Sequence, residues 1–173
     1  DSAEPLSKVT KLFANFFNLF EKIYSKETFE CYICAVMPFR KYYSNELGRI
    51  GIDEFKQAEK SPVVVVLDNV RSQHNIGSAF RTCDAFRISK LYLTGICAIP
   101  PTPQIHKSAL GAEFSMDWEY VEETLTLVER LKSEGYTIVS VEQAEGSTML
   151  NDFRLEKDKK YALIFGNEVH GVN

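Results

Sequence analysis

Residues 62–87, PVVVVLDNVRSQHNIGSAFRTCDAFR, decide how this chain is read. Four valines and a leucine, Val63 to Leu67, form the unbroken β-branched run that a strand needs when both its faces are buried. Polar residues follow from Asp68 to His74. Asn75 then sits where a helix N-cap belongs, and Ile76, Phe80 and Cys83 recur at i, i+4 and i+7 as an apolar stripe. Strand, loop and helix start make the first half of a βαβ unit. In open α/β sheets, ligands lie beyond the carboxyl ends of the strands, at loops of this kind.

The same alternation runs outward from this stretch. Lys90 to Thr94 (KLYLT), Ser115 to Tyr120 (SMDWEY), Tyr136 to Val141 (YTIVSV) and Lys160 to Phe165 read as further strands. Helices are expected over 45–59 with Asn45 as a cap, over 104–113 stopped by Gly111, and over 121–134 with Gly135 closing the end. Between them, Ile99 to Pro103 must run extended, and residues 142–152 read as a polar loop or short helix. Strands alternating with helices specify an α/β fold, an open and mostly parallel sheet with helices on both faces. Residues 61–173 form that unit, 37–60 a helical lead-in, and 1–36 an N-terminal helical extension. In the extension, Leu12, Phe16, Leu19 and Phe20 fall at helical spacing. It packs on the domain, on a partner or on a membrane surface, or is foreign to the fold, with Met37 close to a natural start.

Bulk properties narrow the function. A chain of 173 residues, 45% hydrophobic and 25% charged, is globular and long enough to bury a core. Its net charge of −4 argues mildly against a nucleic-acid partner. Local distribution matters more, so the question becomes whether Arg40, Lys41, Arg49, Arg71, Arg81, Arg87 and Lys107 gather on one face. Cys31 and Cys34 form a CxxC with no second pair at zinc spacing. Cys83 and Cys97 fall on buried elements, which reads as a cytoplasmic protein with reduced structural thiols. No apolar run approaches the ~20 residues that span a membrane. Neither a GxGxxG dinucleotide fingerprint nor a P-loop is present.

On the first helix, Arg81 stands one turn after Gly77 and roughly 100° off the Ile76/Phe80 stripe. Gly77 costs ~1 kcal/mol of helix propensity relative to Ala, which calls for a close approach by another backbone or by a ligand. Taken alone, these residues also read as a plain cap, a packing glycine and a solvated arginine. Asn75-x-Gly77-x-x-x-Arg81, with Thr82 and Phe86 after it, resembles the first motif of the SpoU (TrmH-like) branch of the SPOUT RNA methyltransferases. Phe165-Gly166-Asn167-Glu168-Val169-His170-Gly171 resembles the second motif of that family, FGxExxG, in the right order and at a plausible separation.

The resemblance implies methyl transfer from S-adenosylmethionine to a ribose 2′-hydroxyl of RNA, with no metal. Arg81 would stabilise the developing alkoxide or orient a phosphate whose oxygen takes the proton, because a guanidinium does not itself give up a proton. Asn75 would help orient Arg81 and the ribose, and Glu168 would fix Arg81 and the loop that holds the donor. Gly166, Asn167, Gly171, Val141 and Glu142 would line the donor site, and Arg71, Gly77 and Lys107 would face RNA. His106, in a stretch similar to one near the substrate in the family, is either a surface histidine or a participant.

With no large N-terminal RNA-binding domain evident, the resemblance tilts toward tRNA rather than rRNA. A third family motif, near IPxxGxxxSLNVxxA, would fall beyond Asn173. It supplies donor contacts, a trefoil knot and much of a homodimer interface, so the chain as given is expected to be incomplete, to bind the donor poorly and to be inactive. A non-catalytic RNA- or nucleotide-binding domain is the alternative. An unrelated flavodoxin-like domain with coincidental motifs comes third.

Overall fold

The structure, a computed structural model, describes Arg40, Tyr42, Tyr43 and residues 46–172. The expected helical extension over 1–36, the start near Met37, and Cys31 and Cys34 lie outside the described residues. The elements are α1 (Ile52–Gln57), β1 (Ser61–Asp68), α2 (Gln73–Ala85), β2 (Ile88–Thr94), α3 (Pro103–Ala109), α4 (Ala112–Ser115), β3 (Trp118–Val121), α5 (Thr124–Ser133), β4 (Tyr136–Val141) and β5 (Lys160–Phe165). All four strand pairings are parallel, in the order β3-β2-β1-β5-β4. The valine run is thus the middle strand, with Val65 paired to Leu91 on one side and to Leu163 on the other.

Burial of β1 on both faces explains its composition. Val63, Val65 and Leu67 join Ile76, Phe80 and Cys83 of α2, Ile105 of α3 and Leu163 and Phe165 of β5 in one core cluster. Val64 and Val66 point the other way, to Leu127 and Leu131 of α5 with Tyr92, Ala162 and Ile164. Helices therefore cover both faces, as expected. The thiols of Cys83 and Cys97 are free and buried; burial drives both up, the Cys97 thiol to about 11.

Several boundaries differ from the sequence reading. The helix expected over 45–59 is reduced to α1, because Gly48 takes a left-handed φ of 57° and Gly51 is extended at ψ 168°. The helix expected over 104–113 is two pieces. Leu110 adopts φ 53° and Gly111 φ 94°, and α4 starts afresh at Ala112. The third strand begins at Trp118 rather than Ser115, since 112–115 are helical. α5 starts at Thr124, and Gly135 follows its end at φ 86° as its sequence position implied.

Gly77, expected to face RNA, is instead buried against α3. A Cβ there would run into the Ile105 carbonyl oxygen and Ser108 Oγ and would lie 3.0 Å from the Ala109 amide nitrogen. The close approach that the glycine called for is therefore another helix. Gly77→Ala should destabilise the fold by about 1–3 kcal/mol, since the α3 backbone has to retreat. A urea titration checks this, and an unchanged midpoint would refute the tight α2–α3 crossing.

Candidate functional site

Two turns meet at the carboxyl ends of the central strands. One, residues 69–72, leaves β1; the other, residues 166–172, leaves β5. Parallel pairing holds Leu67 beside Phe165, so the turns are neighbours although almost a hundred residues separate them.

The N-cap of α2 is Ser72, not Asn75. Ser72 is extended (φ −75°, ψ 110°) and its Oγ accepts from Asn75 N at 3.3 Å. Asn75 thereby falls in the first turn, with its side chain released from capping. Its Nδ2 donates to Glu168 Oε1 at 3.0 Å. The same carboxylate accepts the Ser72 amide at 3.3 Å and the Arg71 amide at 3.4 Å. A carboxylate at the positive end of a thirteen-residue helix is favourable electrostatically. Glu168 and Asn75, both singled out from sequence, are brought together. Arg71 takes part through its backbone, and its side chain is exposed.

The second turn is built by Asn167, which is 8% exposed. Its Nδ2 donates to the Asn69 carbonyl at 2.8 Å, and its Oδ1 accepts the amides of Val169 at 2.8 Å and His170 at 3.2 Å. Asn167 and Gly171 also exchange two backbone hydrogen bonds. Gly166 is needed because a Cβ would collide with the Gly171 backbone. Gly171, at φ 75°, lies against the carboxylate of Glu142, which accepts Val172 N at 3.0 Å and Gln143 N at 2.9 Å. Val141 ends β4 half-buried against the core. The residues expected to line a donor site therefore converge on the ends of β4 and β5.

Between α2 and these turns lies a cleft of about 50 Å³ lined by Val65, Leu67, Asn75, Thr82, Phe165 and Glu168 among others. It is mostly apolar, with Asn75, Glu168 and Thr82 as its polar residues, and is roomy enough for a small group rather than a whole nucleoside. Among the described residues there is no group of three or more His, Cys, Asp or Glu placed to hold a metal ion. None of the described helices is long and apolar enough to cross a membrane.

Among the described residues, no hydrogen bond or ion pair joins Arg81 to Glu168. Arg81 follows Asn75 by six residues, about 9 Å along the helix axis, while the carboxylate is engaged at the first turn. Arg81 is exposed, with neither hydrogen bond nor ion pair among the described residues. Lys107 is exposed on α3.

Sequence reasoning missed Ser72, Asp68 and Asn69. Asp68 is fully buried and accepts from Thr124 Oγ1 at 2.6 Å and Asn69 Nδ2 at 2.8 Å. Asn69 adopts φ 54°, and its Oδ1 accepts Ile96 N at 3.2 Å. A readable signal was present: Asp-Asn at the end of a strand is a common way to enter a left-handed turn.

Solved structures share this fold. Similarity to the 23S rRNA (guanosine-2′-O-)-methyltransferase RlmB of Coxiella burnetii is 27% identity over 117 residues, 68% of this chain and 46% of that protein. The crystal structure of the A. aeolicus TrmH/SpoU tRNA modifying enzyme superposes with a TM-score of 0.60 at 22% identity, over 70% of this chain and 62% of that one. The SpoU methyltransferase AviRb of Streptomyces viridochromogenes, in complex with the cofactor AdoMet, gives a TM-score of 0.54 at 28% identity, over 67% of this chain and 44% of that one. The chain spans about half the length of the curated relatives it matches. The sequence profile of the SpoU rRNA Methylase family matches residues 62–173, and the chain belongs to that family.

Proposed function

We propose that the protein is an RNA 2′-O-ribose methyltransferase, that its methyl donor is S-adenosylmethionine and that its substrate is tRNA. The observation carrying this reading is the joint held by Glu168, which ties the turn after β5 to the N-terminus of α2 and leaves Arg81 on that helix unpaired among the described residues. The 23S rRNA specificity in the name of the Coxiella relative keeps rRNA as the second substrate class.

The donor set fits the cofactor. The exposed Glu142 carboxylate suits hydroxyl or amino groups, and the small cleft suits a methyl-bearing end. When bound, the donor supplies an electrophilic methyl on a sulfonium centre. Val141, Glu142, Gly166, Asn167 and Gly171 hold it. Asn75, fixed by Glu168, is positioned toward the cleft between the donor side and α2. The Arg81 guanidinium, able to donate but not to accept, binds the phosphate next to the reacting ribose. An oxygen of that phosphate, held by Arg81, would receive the 2′-hydroxyl proton. Holding the reactants near contact supplies much of the acceleration, and the cation stabilises charge building on oxygen.

We also infer a cytoplasmic homodimer. The free, buried thiols of Cys83 and Cys97 suit a reducing compartment. Val169, 71% exposed on the turn that carries Glu168, gives apolar surface for a second copy to cover beside the site.

Arg81→Ala in the full-length protein should lower methyl transfer to tRNA by about 100-fold or more while donor binding and Tm stay unchanged. Transfer of a radiolabelled methyl to tRNA and to 23S rRNA fragments measures this. An active Arg81→Ala enzyme would overturn the role given to the arginine, and no transfer by the wild type would assign the fold to binding alone. In a separate double-mutant cycle, Glu168→Ala and Asn75→Ala should each cost about 1 kcal/mol of stability. Together they should cost at least ~0.5 kcal/mol less than their sum, because both break one contact. Strict additivity in urea denaturation would show that the pair is not coupled.

A further inference from the structure

We propose that the cleft between α3, α4 and the proline-rich segment after β2 is a nucleobase subsite that prefers guanine. The cleft has a volume of about 630 Å³, and its walls include Pro101, Pro103, His106, Glu113, Phe114 and Trp118. It shares no lining residue with the cleft at Glu168.

Glu113 is the reason to expect a ligand. Its side chain is 5% exposed and one oxygen pairs with Nδ1 of His106. The other oxygen, Oε2, is out of solvent and has no hydrogen-bond partner among the described residues. A buried acceptor without a donor is costly, and native structures seldom retain one without a reason. His106 covers the carboxylate from outside, and with a side chain 64% exposed it has room to swing aside. An incoming N–H group then satisfies the orphan oxygen.

The other walls define what carries that N–H group. Phe114 is 56% exposed, its ring 6.0 Å from that of His106, and nothing in the fold requires it there. Trp118 is half-buried and held edge-on to Phe80 at 6.1 Å, a fixed aromatic wall. Aromatic walls take a flat ring by stacking. Carboxylates accept from amino and imino edges. Guanine presents two adjacent N–H donors, whereas the single imino N–H of uracil is flanked by carbonyl oxygens that a carboxylate repels. Lys107, next to His106, is exposed and has no hydrogen bond or ion pair among the described residues, so it is free to meet the attached phosphate. The subsite then reads a base of the substrate RNA, resting on the proposed function for the identity of that polymer.

The chain contains a single tryptophan, so its fluorescence reports on this wall. Titration of the full chain with GMP should give saturable quenching, with UMP binding about tenfold more weakly, the discrimination one base-edge contact gives. Glu113→Gln should erase the preference, and Phe114→Ala, a surface change that spares the fold, should weaken both nucleotides. Equal binding of GMP and UMP, equal quenching by inorganic phosphate, or wild-type behaviour in both variants would overturn the subsite. So would saturation by tri-arginine with no response to GMP, which would make the cleft a peptide site. Methyl transfer is assayed in parallel: activity without quenching removes the subsite alone, and guanine-selective quenching without activity removes only the catalytic reading.

Discussion

The groups at the Glu168 site are positioned by the pairing of β1 with two neighbours at once. A middle strand must satisfy backbone hydrogen bonds on both edges and bury side chains on both faces, and the valine run of residues 63–66 meets that demand. Its partners come from opposite parts of the chain, β2 directly after it and β5 near residue 165. Two turns that are remote in sequence are thus forced to leave the sheet side by side. The sheet register, in which Leu67 faces Phe165, does what no local signal could.

On that base, the polar groups at the strand ends are fastened in series. Buried Asp68 holds Thr124 at the start of α5 and the side chain of Asn69. The carbonyl of Asn69 receives Asn167, whose own oxygen closes the turn containing Val169 and His170. Glu168 then reaches back across the joint to α2. Each member is hydrogen-bonded, which is the condition under which a polar network rigidifies a site rather than weakening it.

Legibility followed the range of the interaction. The strands Tyr136–Val141 and Lys160–Phe165 were readable to the residue, because composition and periodicity are local. The N-cap was not. Ser72 and Asn75 are both capping residues three positions apart, and the choice between them is tied to a carboxylate at position 168, which draws Asn75 away. The break between α3 and α4 was misplaced for a similar reason. Leu110 takes a left-handed conformation that its side chain gives no warning of, beside the glycine read as the stop. Within the site, resemblance named Asn75, Arg81 and Glu168 but carried no distances. Arg81 lies six residues along the helix from Asn75, and no hydrogen bond or ion pair joins it to Glu168 among the described residues.

The acidic net charge reads differently once the partners of the carboxylates are known. Asp68 is buried under Thr124, Glu168 faces helix and turn amides, Glu142 binds two further amides, and Glu113 sits beneath His106. Glu119 is bracketed by Lys90 at 2.7 Å and Arg130 at 2.9 Å, and these bonds hold its carboxyl below the usual range. Much of the negative charge near the site and on the α5 face is therefore spent inside the protein. The guanidinium of Arg81 and the ammonium of Lys107, in contrast, stand in solvent without a carboxylate beside them among the described residues. A phosphate backbone responds to the potential where it lands, over roughly a Debye length of ~8–10 Å, and not to the sum over the chain. A protein of net charge −4 can on that account still offer a cationic surface where its first motif is displayed.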